Sequence, residues 1–172
     1  GSGRVKGHRR TVASGAGVLR GGVGGRSPAG RAVHVTSVRM VSFVQRAVAA
    51  VLYEIEPLER PIRLVLQSEL VANEPLPYWS DDPRTAARVK FLLRAEQHAV
   101  RGTRVVLLHS TEASGLRIAA GIDHVVEGPP GTNTGQAESD GDLGRVTVTA
   151  EPEPGQKLRL VKFLAYGWSS QR

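Results

Sequence analysis

The chain has 172 residues, 40% of them apolar, a formal net charge of +7 and no cysteine. That length holds one domain or part of a larger one, and an aromatic content of 5% means that its core is built from Val, Leu, Ile and Ala. The composition excludes a disulfide scaffold and thiolate metal sites; no apolar run approaches the ~20 residues of a helical membrane span.

The charge is unevenly placed. Arg4, Lys6, Arg9, Arg10, Arg20, Arg26 and Arg31 are seven of the 23 basic residues and lie where there is no acid, while the remaining 16 balance all 16 Asp and Glu. A neutral body weighs against a basic nucleic-acid face, so nucleic-acid binding through the arm is the weakest of the function classes considered. Residues 1–30 are rich in Gly and Arg and include Gly21-Gly22-Val23-Gly24-Gly25. Such a segment predicts a flexible or weakly extended arm ahead of a domain over 31–172. The N-terminus shows no apolar signal segment, and the cysteine-free composition fits the cytoplasm.

From Ala32 the pattern changes. Val33, Val35, Val41 and Phe43 share one parity, as a pleated strand requires. Ala47–Ile55 is dense in β-branched and small residues. Ile62, Leu64 and Leu66 alternate with Arg63, Val65 and Gln67. These three runs predict an antiparallel meander. Asn73–Pro83 is a proline-bearing loop. Arg84–Ala99 reads two ways: one short helix near 84–98, from the spacing of Val89, Leu92, Leu93 and Glu96, or a strand from Val89 to Leu93. Val105–Ser110 and Leu116–Val126 are strands joined by a tight turn, and residues 128–144 read as an exposed loop with almost no apolar anchor. Arg145–Ala150 alternates, and Leu158–Trp168 is a long last strand. About seven strands between Pro- and Gly-marked turns predict a mostly β protein, an antiparallel β-sandwich.

Chemistry-bearing constellations are weak. None of His8, His34, His98, His109 and His124 has another at ligand spacing. Asp123-His124 with Glu127 is the best metal candidate, yet adjacent strand residues face opposite ways, so no metal site is assigned. No Gly-x-Ser-x-Gly elbow accompanies a serine. Gly15-Ala16-Gly17 has Arg20 where a dinucleotide fingerprint needs glycine, and no cofactor site is assigned. Glu69, Glu74, Asp81 and Asp82 surround one loop but read as solvated acids rather than a glycosidase pair. No catalytic residue is assigned. The aromatic pairs Tyr78-Trp79 and Tyr166/Trp168 are the residues suited to stacking on a sugar ring or to docking another domain.

Four stretches taken together carry a resemblance: Arg26-Ser27-Pro28-Ala29-Gly30-Arg31, Gln67–Glu74, Ala113–His124 and Pro154–Arg172. In this order they resemble the N-terminal β-sandwich of glycoside hydrolase family 65, which includes maltose, trehalose and kojibiose phosphorylases and related hydrolases. The resemblance implies a partial supersandwich, beginning within the family's sandwich and ending where it hands over to a helical linker and an (α/α)6 catalytic barrel. It implies that the general acid and the phosphate site lie in that barrel, which would be this chain's partner. It implies a role in oligomerisation and in shaping the site, without activity of this chain alone. An incomplete sandwich would expose strand edges and an apolar face, which predicts a homo-oligomer or strand-swapped dimer. A stand-alone carbohydrate-binding module is the alternative.

Overall fold

A computed structural model describes residues 5–13, 17–26, 31–74 and 93–169. The strands are β1 (Val5–Ala13), β2 (Val18–Arg26), β3 (Ala32–Val41), β4 (Val48–Pro57), β5 (Leu64–Val71), β6 (Leu93–Arg101), β7 (Arg104–Thr111), β8 (Arg117–Glu127), β9 (Asn133–Thr134), β10 (Glu138–Ser139), β11 (Leu143–Ala150) and β12 (Leu158–Ser169). All pairings are antiparallel, and no helix occurs among the described residues. The large sheet runs β1-β2-β3-β4-β12-β8-β7-β6, and the small sheet runs β10-β11-β5 with β9 also on β11. The expected antiparallel sandwich is the fold of this chain.

The small sheet lies over one half of the large one. The buried core comes from β7, β8, β11 and β12, through Val105, Leu107, Ile122, Val146, Val148, Ala150, Leu158 and Leu160, together with Ala137. Strand parity explains the set. Leu158 and Leu160 face the small sheet, while Arg159 and Val161 face away. In β11, the buried Gly144, Val146, Val148 and Ala150 alternate with half-buried neighbours. Gly144 is required here, because a Cβ would lie 2.3 Å from Val105 Cγ1.

The structure differs from the reading of single segments in three places. The segment expected as a flexible arm contains β1 and β2, paired with each other and through β2 with β3. Composition weighs chain entropy, whereas ladder hydrogen bonds from both sides stabilise even a Gly-rich strand. Gly17 opens β2 at φ +61°, and the Val41 amide donates to its carbonyl at 3.1 Å. Secondly, β5 does not continue a meander with β3 and β4 but crosses to the small sheet and pairs with β11. The Glu56–Pro61 break leaves β4 without a hairpin turn, so the next strand is free to change layers. Thirdly, residues 128–144 hold β9 and β10, and Ala137 is buried. Of the ambiguous Arg84–Ala99 segment, Leu93 onward is strand β6, and residues 84–92 lie outside the described residues.

Candidate functional site

Three polar or aromatic groupings stand out. The first lies between the sheets. His124 of β8 is buried, with Nδ1 2.9 Å from the Thr103 carbonyl and Nε2 2.7 Å from Ser68 Oγ of β5. The carbonyl only accepts, so Nδ1 carries the hydrogen and Nε2 accepts from the Ser68 hydroxyl. Burial first, and then the positive charge of Lys162, hold His124 below the ordinary imidazole value, against the opposing pull of the Thr103 carbonyl. Lys162 sits beside His124 in register on β12 and donates Nζ to the Glu69 carbonyl of β5. Burial lowers the Lys162 ammonium as well. The hydroxyl–imidazole arrangement is that of a nucleophile and its base, but both side chains are sealed in the core, away from any substrate. A second network runs from His109 Nε2 to Asp142 Oδ1 at 2.8 Å, and from Asn73 Nδ2 to the same oxygen at 3.0 Å. Asn73, at φ +54°, also binds the Leu93 backbone both ways and so ties the end of β5 to the start of β6.

The second grouping is a shallow cleft of about 380 Å³ lined by Glu54, Glu127, Gly128, Lys157 and Arg159. Its charges neutralise one another. Lys157 reaches Glu54 at 2.8 Å, and Arg159 bridges Glu54 at 3.3 Å and Glu127 at 3.1 Å. The Lys157 hydrogen bond, outweighing partial burial, holds Glu54 below the usual carboxylate range. A glycosidase general acid needs the opposite shift. Glu54 and Glu127 therefore act as an ion-pair network that fastens β4, β12 and β8 together.

The third grouping is aromatic. Tyr166 and Trp168 project from β12 on the same face, with ring centroids 6.1 Å apart and planes 21° apart. They are 52% and 67% exposed. Their register partners on β8 are Ala120 and Ile118, and the Tyr166 amide donates to Ala47 O at 3.1 Å. Tyr78 and Trp79 lie outside the described residues.

Of the expected metal candidate, Asp123 and His124 take opposite faces of β8. Asp123 faces outward and is held ionised, chiefly by the Arg104 hydrogen bond at 2.7 Å. Glu69 pairs with Arg145 at 2.7 Å rather than with another acid. Sequence reading missed the Ser68–His124–Lys162 group. The available signal was parity: Lys162 follows Leu158 and Leu160 on the core face.

The family model "Glycosyl hydrolase family 65, N-terminal domain" matches residues 1–172. The chain belongs to glycosyl hydrolase family 65. It corresponds to that family's N-terminal sandwich domain. It is 45% identical over 170 residues to an uncharacterized glycosyl hydrolase of Mycobacterium tuberculosis, covering 99% of this chain and 22% of the relative. A glycosyl hydrolase of Mycobacterium leprae, also uncharacterized, shares the same identity, and the match covers 21% of its length. The chain thus spans about a fifth of the length of these curated relatives. A solved structure of a human-microbiome protein assigned as a kojibiose phosphorylase superposes with a TM-score of 0.79 at 9% identity, covering 99% of this chain and 21% of that one. That likeness shows the fold. Among the described residues no helix is long and apolar enough to cross a membrane.

Proposed function

We propose that this sandwich is the non-catalytic part of a larger protein that cleaves α-glucosidic disaccharides by phosphate or water, and that it seats the catalytic barrel and supports self-association. The observation carrying this reading is an apolar grid on the face of the large sheet that points away from the small one. Register places Val38, Leu52, Val161 and Val125 in one row across β3, β4, β12 and β8, with Met40, Ala50 and Phe163 in the next. Met40, Val125 and Phe163 are 47%, 49% and 43% exposed. Contiguous exposed apolar surface of this kind marks an interaction face. The carboxylates of the cleft, each paired with Lys157 or Arg159, also favour a structural role over acid catalysis.

The chain alone should release no glucose phosphate from maltose, trehalose or kojibiose with inorganic phosphate; turnover above blank would sink the reading. Light scattering should find it associated, and Phe163→Asp should shift it toward monomer. A monodisperse monomer of the unaltered chain would remove the self-association role of this face. A second reading, carbohydrate binding, is favoured by the paired rings of Tyr166 and Trp168, whose flat faces suit a pyranose. Oligosaccharide titration should then quench tryptophan fluorescence, and Trp168→Ala should abolish the response. No change across millimolar sugar would exclude it.

A further inference from the structure

The contacts between the two sheets include a histidine from each of three neighbouring strands. His98 of β6 reaches Ser139 of β10 at 2.8 Å, His109 of β7 reaches Asp142 at 2.8 Å, and His124 of β8 reaches Ser68 of β5 at 2.7 Å. These contacts respond differently to a proton. His109 faces a carboxylate, so Nε2 donates whether or not the ring is charged. His98 lies at the exposed rim, where the Ser139 hydroxyl accepts as readily as it donates. His124 has no such freedom. Its Nδ1 is committed to the Thr103 carbonyl, and its Nε2 serves as the acceptor for a buried serine hydroxyl.

We propose that His124 is an acid-sensitive latch: neutral, it fastens β5 to the large sheet, and on protonation it releases that edge while the β10–β11 side stays closed. A proton on Nε2 turns the acceptor into a donor, so Ser68 must rotate and leave its own hydrogen unpaired in the core. The new charge is buried and lies directly across from the Lys162 ammonium. The charged groups near it give little relief. Asp123 precedes it in the chain but points to the far face and is bound by Arg104. Glu69, next to Ser68 on β5, is bound by Arg145 of β11. Asp142 is engaged by His109 and Asn73. Lys162 couples to the same edge, since its donor bond to the Glu69 carbonyl holds β5 one residue from Ser68. Charge on His124 therefore acts where two cross-sheet bonds of β5 sit side by side. Release would open the sandwich like a book hinged on the His109–Asp142 side, uncovering Leu64, Leu66 and Leu70.

The chain has no cysteine, so paired spin labels attach only where cysteines are introduced. One pair, Gln67→Cys with Val125→Cys, spans the sandwich at β5. A second, Thr147→Cys with Val106→Cys, spans it at β11. From about pH 7.5 to about pH 5, across the imidazole range, the first distance should lengthen and the second should not. His124→Gln should abolish the lengthening, and Lys162→Met, which removes the repelling charge and one bond of the same edge, should move it to higher pH. No lengthening, lengthening of both pairs together, or a His124→Gln profile like that of the unaltered chain would overturn the latch. If His124→Gln does not fold, Lys162→Met decides: a transition at unchanged pH refutes the proposal.

Discussion

The two halves of the large sheet are built differently. Beneath the small sheet, β7, β8 and β12 contribute side chains with almost no exposure, such as Val105 at 0%, Leu107 at 1% and Leu158 at 0%. In β3, of the open half, no residue is buried. β4 reaches burial only at its end, through Ile55 and Pro57, beside the edge of the covered half. Both halves are equally regular in backbone hydrogen bonding. The lesson is that ladder pairing makes a sheet, whereas a second layer makes a core. Valine-rich strands such as β3 and β4 have apolar residues to bury, and among the described residues nothing covers them.

That contrast can be broken or sharpened by substitution. The largest effect is expected from Leu107→Ala, which should cost about 2–5 kcal/mol, against about 1 kcal/mol for the half-buried Leu52→Ala, both read from urea midpoints. Equal losses would mean that the open half is covered in solution. Next come two glycines. Gly144→Ala drives a methyl into Val105 and should cost about 1–3 kcal/mol. Gly22→Ala in β2 meets only His34 Nε2, at 4.0 Å, and should be neutral or slightly stabilising in the same titration.

Acid should then separate the halves. The folded state holds His124 below the 6.5 of a free imidazole, so the unfolded chain takes up the proton first. Stability is complete above that value and falls as pH drops below it, at no more than about 1.4 kcal/mol per pH unit for one proton. Urea midpoints measured across that range should show the slope in the unaltered chain and lose it in His124→Gln. The smallest effect belongs to the surface. Arg104 and Asp123 are 58% and 37% exposed, so Arg104→Ala should cost no more than about 1 kcal/mol, and less in high salt.

Much of this was legible in the residues. The alternation in Arg145–Ala150 and the run Leu158–Trp168 predict strands, and both are found. The Ala113–His124 and Pro154–Arg172 stretches point to the family. Less was legible where a segment's state depends on its neighbours. The Gly-rich residues 18–26 carry no apolar period, so their pairing with β3 is invisible in composition. Ala137 is buried by what packs over it, not by its local sequence. Neither aromatic pair could be weighed as a site from spacing, since Tyr166 and Trp168 stack only because pleating puts alternate residues on one side.

The sequence by itself determined that this chain is antiparallel β, where most strands lie, which of their faces are apolar, and the family it belongs to. Those properties follow from periodicity and local turn chemistry, which act over a few residues. Only the tertiary structure decided that β5 leaves its neighbours for the other sheet, that half the large sheet receives a second layer, and that Ser68, His124 and Lys162 meet inside it. Those outcomes join residues as far apart as 93 positions, between Glu69 and Lys162, and long-range packing rather than any local pattern selects them.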